Sequence, residues 1–263
     1  MKYFDSHAHY YDDRFREEYE GSVDDLIDAL LSSSVSHIIN VGTSPTTSRL
    51  AIEQAKKFTR MYTSVGIHPS DAQYLSCDLD TALSDIEGLI RNEESKCLAV
   101  GEIGLDYHYP DTNRELQMRY FDAQMTLARE LDLPVVIHDR ESHEDVIDMI
   151  KRHKGVRGVL HSFSGSAEMA KEIVRLGFMV SFSGTVSFKN ARRPKEAAAV
   201  VPKDMLLIET DAPYLAPHPK RGTLNHSGNL IYTNAALAEA VGISVEECAA
   251  ITDENARRFF SIK

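Results

Sequence analysis

The sequence predicts an α/β fold, a closed (β/α)8 barrel of the TIM type. Eight short apolar runs alternate with helical patterns from one end of the chain to the other. The length of 263 residues suits one such barrel, for which about 250 residues are typical. No linker or repeat marks a boundary, so we expect a single domain over residues 1–263.

The predicted strands are short β-branched or apolar runs, and the predicted helices keep the apolar spacing of half-buried helices. The strands are expected at residues 3–9, 37–41, 61–68, 97–105, 134–138, 158–161, 178–182 and 205–211. The helices are expected at 22–31, 46–58, 79–92, 113–131, 142–153, 167–176 and 192–200, with others at the C-terminus. Ser22 is placed to cap the first of these helices. This alternation requires parallel pairing through right-handed crossovers. An open doubly wound sheet would need a glycine-rich phosphate turn after the first strand, where this chain has His7-Ala8-His9.

The composition argues against several classes of protein. Hydrophobic residues make up 43% of the chain, too many for a disordered one. No window approaches the ~18 apolar residues of a membrane span, and the first strand starts too early to leave room for a signal peptide. Three cysteines without CxxC spacing indicate free thiols in a reducing compartment. We therefore expect a cytoplasmic protein without a membrane partner or an obligate protein partner.

The net charge of −11 argues against a general nucleic-acid coat protein, whose surface would be basic. It leaves open an enzyme that acts on phosphates, because bound divalent ions supply positive charge of their own.

Residues of the types that bind metal ions stand at the C-terminal ends of five predicted strands. They are His7, His9, Glu102, His138, His161 and Asp211. All strand ends of this kind face one mouth of a barrel, where active sites lie. The remaining histidines outside strand ends are expected mostly at the surface: His37, His108, His143, His153, His218 and His226.

Six ligands exceed the needs of one tetrahedral ion and match two ions that share a bridging group. Glu102 is the best bridge, because a carboxylate can offer one oxygen to each ion. Asp211 could act as a ligand or accept the proton of the attacking water, and Glu209 could support it or a histidine ligand. Catalytic roles are therefore predicted for Glu102 and Asp211.

Several blocks of sequence resemble the signature blocks of the TatD family of metal-dependent deoxyribonucleases. They are Asp5-Ser-His-Ala-His9, Gly66-Ile-His-Pro69, Val100-Gly-Glu-Ile-Gly-Leu-Asp-Tyr107, Pro134-Val-Val-Ile-His-Asp-Arg140, Leu160-His-Ser-Phe-Ser-Gly165, Ile208-Glu-Thr-Asp-Ala-Pro-Tyr-Leu215 and Asn255-Ala-Arg-Arg-Phe259. The resemblance implies a TIM barrel of the amidohydrolase superfamily that hydrolyses phosphodiester bonds, often as an exonuclease on DNA. It also implies that one ion binds His7, His9, Glu102 and Asp211 and that the other binds Glu102, His138 and His161.

The loop after the eighth strand departs from the family pattern, which usually reads Arg-Gly-Lys-x-Asn-Glu-Pro. Here it reads Arg221-Gly-Thr-Leu-Asn-His-Ser227, so Arg221, Gly222 and Asn225 match and the other positions differ. The departure leaves the predicted ligands untouched and bears on substrate preference.

Substrate-binding roles are predicted for His68, Arg140, Tyr107, Arg221 and Asn225. Arg140 is the first candidate because a guanidinium matches phosphate oxygens, and its alternative is a salt bridge with Glu141 or Asp139. Tyr107 could stack on a base or simply pack its loop. A basic cluster in the loops after strands seven and eight could guide a nucleic-acid strand or be a solvated face; it consists of Lys189, Arg192, Arg193, Lys195, Lys220 and Arg221.

The leading hypothesis is a deoxyribonuclease, with 3′–5′ exonuclease action as one form, that cleaves single-stranded DNA or DNA ends by hydroxide activated between two divalent ions. Mg, Mn and Zn are all compatible with these ligands. The alternative is hydrolysis of a carbonyl ester, lactone or aminoacyl ester. Relatives that act on such substrates often bridge their ions with a carboxylated lysine, where this chain has Glu102. A non-catalytic barrel is the third hypothesis, disfavoured by the complete ligand set.

Overall fold

Eight parallel strands form a barrel that follows the order of the chain. The structure, a computed structural model, describes residues 1–263. The strands are β1 (Tyr3–Ala8), β2 (Val35–Val41), β3 (Met61–Val65), β4 (Cys97–Asp106), β5 (Val135–Arg140), β6 (Gly158–Leu160), β7 (Met179–Phe182) and β8 (Leu206–Ile208). The predicted (β/α)8 barrel is confirmed. It closes where a parallel bridge joins Ala8 to Ala212 and the His9 amide donates to the Ala212 carbonyl at 2.7 Å.

Helices separate the strands and cover the outside of the barrel. They are α1 (Asp13–Glu18), α2 (Val23–Ser33), α3 (Pro45–Ala55), α4 (Pro69–Ala72), α5 (Leu79–Arg91), α6 (Arg114–Leu131), α7 (His143–Arg152), α8 (Ala167–Arg175), α9 (Arg192–Ala198), α10 (Leu230–Val241) and α11 (Val245–Phe259). Ser22 caps α2 as predicted, its hydroxyl accepting the Asp25 amide at 3.3 Å. No helix is both long and apolar enough to cross a membrane.

One end of the barrel interior is filled with apolar side chains. Strand residues such as Phe4, Val136, Val159 and Leu207 belong to one buried cluster there. Phe259 and Phe260, at the end of α11, pack against the same cluster and close this end. Each fully buried side chain of this size stabilises the fold by about 1.5–3 kcal/mol.

Successive side chains on a strand alternate between two faces, so the residue two positions on shares the interior face. Two residues after each apolar strand residue comes a polar one: His138 after Val136, His161 after Val159, and Glu209 after Leu207. The apolar cluster therefore lies directly beneath the polar residues at the mouth of the barrel.

Two glutamines on the inner face of α6 hold the loops that follow β3 and β4. The side-chain oxygen of Gln124 accepts from the Ile67 amide at 2.7 Å, and its side-chain nitrogen donates to the Ile67 carbonyl at 3.1 Å. The Gln117 amide does the same with the main chain of Asp106, at 2.9 and 3.1 Å. These contacts position the chain on either side of Glu102.

Several strands end earlier than predicted. β3 ends at Val65 and β8 at Ile208, because the chain turns out of the ladder there to aim side chains at the mouth. His68 begins a new helix as the N-cap of α4, and Asp211 takes a left-handed backbone conformation with φ of 56°. Strain of this kind in a non-glycine residue is typical of functional sites.

The remaining histidines are expected mostly at the surface, and two of them are exceptions. His37 and His153 are buried, with 7% and 6% exposure. His37 stacks on Phe4 inside the barrel, and His153 bonds through Nε2 to Asp122 at 2.9 Å. The three cysteines are free, as expected.

Candidate metal centre

His7, His9 and Asp211 converge where β1 meets the chain after β8. The Nε2 atoms of the two histidines lie 3.0 Å apart. Asp211 Oδ1 lies 3.5 Å from His9 Nε2 and 3.7 Å from His7 Nε2. The Asp211 amide donates to the His7 carbonyl at 2.9 Å, so the main chain itself ties these groups together.

Glu102 lies between this group and a second one. Its Oε2 is 3.2 Å from His7 Nε2 and 3.7 Å from His9 Nε2. Its Oε1 is 2.9 Å from both His138 Nδ1 and His161 Nε2. Each carboxylate oxygen thus faces a different pair of imidazoles, which is the geometry that a bridging ligand needs.

The donor set fits divalent cations. His7 Nε2 and His9 Nε2, like His138 Nδ1 and His161 Nε2 at 3.2 Å, approach each other too closely for two bare lone pairs. A shared proton or a cation is needed between them. Three groups have ligand atoms within 4.8 Å of one another: His7, His9 and Asp211; His7, Glu102 and His161; His68, Glu102 and His138. Mixed nitrogen and oxygen ligands suit Zn and Mn better than Mg.

Both carboxylates of the centre are ionised at neutral pH. Burial by itself raises the pKa of Glu102, but His161, His68 and His7 outweigh it and hold that pKa well below its usual range. Burial acts in the same way on Asp211, and the hydrogen bond from His9 with the nearby His7 brings its pKa below the usual aspartate value. Both groups can therefore act as anionic ligands.

Hydrogen bonds behind His9 and His138 set which nitrogen faces the cavity. His9 Nδ1 donates to the Val41 carbonyl at 2.7 Å, since a carbonyl can only accept. His138 Nε2 lies 3.2 Å from Asp106 Oδ2, and the hydrogen bond from His138, opposing the effect of burial, lowers the pKa of Asp106. An ionised Asp106 accepts a hydrogen bond from the Nε2–H group, so Nδ1 of His138 presents its lone pair to the centre.

Glu209 sets which nitrogen of His161 faces the cavity. Its Oε1 accepts from His161 Nδ1 at 3.2 Å and from the Ser162 amide at 2.6 Å. This bond leaves His161 Nε2 free to face Glu102. Of the two roles open to Glu209 from the sequence, the structure favours support of a histidine.

His68 is oriented differently from the six predicted ligands. Its Nδ1 accepts from the Ser70 amide at 3.1 Å, so the proton of the neutral ring sits on Nε2. Burial and the neighbouring His138 lower the pKa of His68 to about 3, which keeps the ring neutral. Its Nε2 lies 3.5 Å from Glu102 Oε1. His68 therefore presents an N–H donor to the cavity.

Asp5 anchors the segment that carries Asp211. Its fully buried carboxylate accepts from the Thr210 amide at 3.0 Å and from the hydroxyls of Thr210 and Ser227, both at 2.6 Å. Burial raises the pKa of Asp5 to about 6 in spite of these bonds. The hydroxyl of Tyr10 joins Ser227 at 2.7 Å and extends the network.

The centre opens into two adjoining cavities. One, of about 220 Å³, is lined by His9, Thr43, His68, Asp71, Glu102, His138, His161, Asp211 and Tyr214. The other, of about 430 Å³, shares His138, His161, Asp211 and Tyr214 with it and extends over Arg140, Ser162, Ser164 and Thr185. No motif marks Thr43, Ser164 or Thr185, because isolated hydroxyl residues are common in every loop. Asp106 and Asp5 stand inside the blocks that carry the ligands, which is the signal that could have found them.

Arg140 is exposed at the rim and forms no ion pair. Asp139 is engaged by Ser142 and His143, at 2.8 and 2.7 Å. Glu141 is engaged by His108 at 2.7 Å. The alternative of a salt bridge with either carboxylate is therefore not realised, and Arg140 is among the residues that line the second cavity.

The polar groups of two of the predicted substrate contacts are engaged by the protein itself. Asn225 is fully buried, and its amide donates to the carbonyls of Thr210 and Tyr214, at 2.9 and 2.7 Å. Tyr107 lies outside both cavities, and its hydroxyl donates to Asp145 at 2.7 Å. Both residues hold loops in place because their polar atoms are satisfied by the protein itself.

The predicted basic cluster is partly neutralised, and none of its side chains lines either cavity. Arg192 pairs with Glu196 at 2.7 Å and Lys195 with Glu239 at 3.2 Å. Arg221 lines neither cavity, and its guanidinium lies 4.3 Å from the centre of the Phe188 ring.

The chain is similar to known proteins over nearly its whole length. A family model described as TatD related DNase matches residues 4–261. The metal-dependent hydrolase YabD of Bacillus subtilis is 39% identical over 98% of this chain and 99% of its own length. The metal-dependent hydrolase TatD of Mycobacterium tuberculosis is 36% identical over 92% of each chain. The crystal structure of YJJV, a TatD homologue from Escherichia coli, matches with a TM-score of 0.88 and 28% identity over 99% of this chain and 98% of that one. The chain therefore belongs to the TatD family and is a metal-dependent hydrolase of the TatD type.

Proposed function

We propose that this hydrolase is a deoxyribonuclease that cleaves phosphodiester bonds in single-stranded DNA or at DNA ends. The observation that carries the proposal is the orientation of Glu102, whose two oxygens face two separate sets of imidazoles. A bridging carboxylate between two ligand sets suits a pair of divalent ions. Such a pair, when bound, lowers the pKa of water and neutralises charge on a phosphate under attack.

The residues of the chain divide the remaining tasks. His7, His9 and Asp211 would hold one ion and His138 and His161 the other, with Glu102 shared between them. Asp211 is ionised, and its side chain is 15% exposed to the cavity. It is therefore placed to accept the proton of the attacking water.

Two donors at the cavity fit a phosphodiester. The Nε2–H of neutral His68 points into the first cavity and can bond to a phosphate oxygen. The guanidinium of Arg140 has no carboxylate partner and can bind a phosphate oxygen at the rim of the second. Arg221 is proposed as a contact for the strand farther out, because it is exposed on a loop after β8.

The test compares chelator-treated protein before and after addition of Mg²⁺, Mn²⁺ or Zn²⁺. We expect cleavage of a single-stranded oligodeoxynucleotide to be lost on chelation and restored by at least one ion. A nitrophenyl phosphodiester and a simple lactone are assayed beside it, because the lactone represents the carbonyl-ester alternative. Turnover of the lactone alone, or DNA cleavage unaffected by chelation, would overturn the proposal.

A further inference from the structure

Two tyrosines stand unusually exposed beside the metal centre. Tyr74, after α4, has 75% of its surface exposed, and Tyr109, after β4, has 50%. Both line one cleft of about 320 Å³, at the lower end of the volumes found for small-ligand sites. Two exposed rings around one cleft leave apolar surface in water that a planar ligand could cover.

The cleft is linked to both cavities at the metal centre by contacts between their lining residues. Ser70, which lines the cleft, is the residue whose amide sets the tautomer of His68. The guanidinium of Arg140 lies 5.6 Å from the centre of the Tyr109 ring and also lines the second metal-side cavity. A strand bound at the metal centre would therefore reach the tyrosines by passing Arg140.

Two residues that line the cleft are hydrogen-bonded to the end of β4. Gln117 lines the cleft and bonds in both directions to the main chain of Asp106. The Thr112 hydroxyl donates to the same Asp106 carbonyl at 3.3 Å, and the Thr112 amide donates to the Tyr109 carbonyl at 3.2 Å. Tyr109 is therefore held by the segment that also positions Asp106 behind His138.

The chemistry of the lining selects a base over a phosphate. Asp111 brings negative charge into the cleft, and no cationic side chain lines it. The Gln73 amide supplies a donor and an acceptor for the edge of a base. The positive charge of Arg140 lies between the cleft and the metal centre, where a phosphate would follow the base along a strand.

We propose that the cleft between Tyr74 and Tyr109 is a subsite for one unpaired nucleobase of the DNA strand, next to the linkage that is cleaved. The inference rests on the proposed function, since it places a neighbour of the scissile phosphate. Stacking on aromatic rings tolerates any base, because every base has a π face. The subsite therefore selects single-stranded substrate without selecting its sequence.

The test measures KM and kcat for a 12-nucleotide single-stranded oligodeoxynucleotide with the metal-loaded protein. Tyr109→Ala and Tyr74→Ala are each expected to raise KM about tenfold, the scale of one lost base stack. Tyr109→Phe should restore the wild-type KM, because a phenyl ring stacks without the hydroxyl. Leu50→Ala, which removes an apolar side chain with 45% exposure from the outer helix α3, is the control. Metal content and thermal midpoint show whether each variant is folded and loaded.

A second arm removes the base instead of the ring. One abasic residue is moved in turn through the positions next to the cleaved linkage, and each strand is assayed with the wild type and with Tyr109→Ala. At one position we expect the abasic strand to have a KM about tenfold higher than the intact strand with the wild type. Tyr109→Ala should not raise the KM of that abasic strand further. The subsite would be overturned if Tyr109→Ala raised the KM equally for intact and abasic strands. It would also be overturned if both alanine variants had a KM within twofold of the wild-type value.

Failure of the proposed function gives a different result. Wild-type protein that hydrolyses neither the oligonucleotide nor a nitrophenyl phosphodiester would refute the phosphodiesterase itself. Hydrolysis of both substrates with unchanged KM in the tyrosine variants would refute only the subsite.

Discussion

The two ends of the barrel interior contain the same residue type in opposite roles. At the closed end, His37 stacks on Phe4 with ring centres 5.3 Å apart, and its Nδ1 has no hydrogen-bond partner. At the open end, His138 and His161 each lie 2.9 Å from Glu102. His37 and His138 lie on strands, and His161 directly follows one. Each ring is a packing group or a candidate ligand according to whether a carboxylate lies within contact distance of it.

The electrostatics of the two ends differ accordingly. Burial, with the nearby Arg257, lowers the pKa of His37 to about 4, so this ring is a neutral packing group. The rings of His9 and His138 are held by hydrogen bonds behind them, to Val41 and Asp106, that aim one lone pair at the cavity. The comparison teaches that a histidine becomes a candidate ligand through its neighbours on both sides of the ring.

The largest effect is expected from Glu102→Ala, because both candidate ion sites lose a ligand. We expect turnover of DNA to fall by roughly 10³-fold or more, beyond the 10–100-fold cost of losing a residue that only supports a ligand. Elemental analysis should show that bound metal is lost as well. Glu130→Ala, an exposed glutamate on the outer helix α6, is the control and should retain both. Full metal content in Glu102→Ala would contradict the bridging role.

Asp211→Asn separates metal binding from proton transfer at the open end. The amide keeps the shape of the carboxylate but cannot accept the proton of water, so we expect turnover to fall by about 10² or more. Thermal unfolding should show that the fold is retained. A rate near that of the wild type would remove Asp211 from the chemistry.

Asp106→Asn tests whether the bond behind a ring makes it a ligand. A neutral amide no longer favours the proton on His138 Nε2, and we expect metal affinity or turnover to drop roughly 10–100-fold. Asp28→Asn, an exposed aspartate on α2, is the matched control. Titration of metal into the chelated protein gives the affinities, and equal values for both variants would show that Asp106 does not orient the ring.

The smallest effect is expected at the closed end, from His37→Phe. The pKa of His37 is about 4 in the folded chain and about 6.5 when unfolded. Below pH 6.5 the unfolded state binds the proton first, so stability present above that pH is lost as the pH falls toward 4. Phenylalanine keeps the stack on Phe4 and does not titrate. The free energy of unfolding should therefore fall less between pH 7 and pH 4.5 in the variant than in the wild type. We expect the difference to be on the order of 1–2 kcal/mol. Identical pH profiles would contradict this assignment.

The fold class and the convergence of the six predicted ligands could be predicted from the sequence because the signals are local. Apolar periodicity marks each strand, and a histidine or carboxylate at the end of a strand must face the mouth of any barrel. His7 and His9 illustrate this, since their spacing alone predicts that they share a face and their Nε2 atoms lie 3.0 Å apart. The choice of Glu102 as the bridging residue needed only the chemistry of a carboxylate.

Only the tertiary structure decided the rest, because it depends on contacts between residues far apart in the chain. Asp5 meets Ser227, and His161 meets Glu209, through side-chain bonds that no spacing rule predicts. Asn225 is turned inward by its bonds to the carbonyls of Thr210 and Tyr214. Arg140 has no ion-pair partner because other side chains engage the two carboxylates beside it. Sequence periodicity specifies which face a residue takes, whereas its hydrogen-bond partners depend on how separate elements pack against one another.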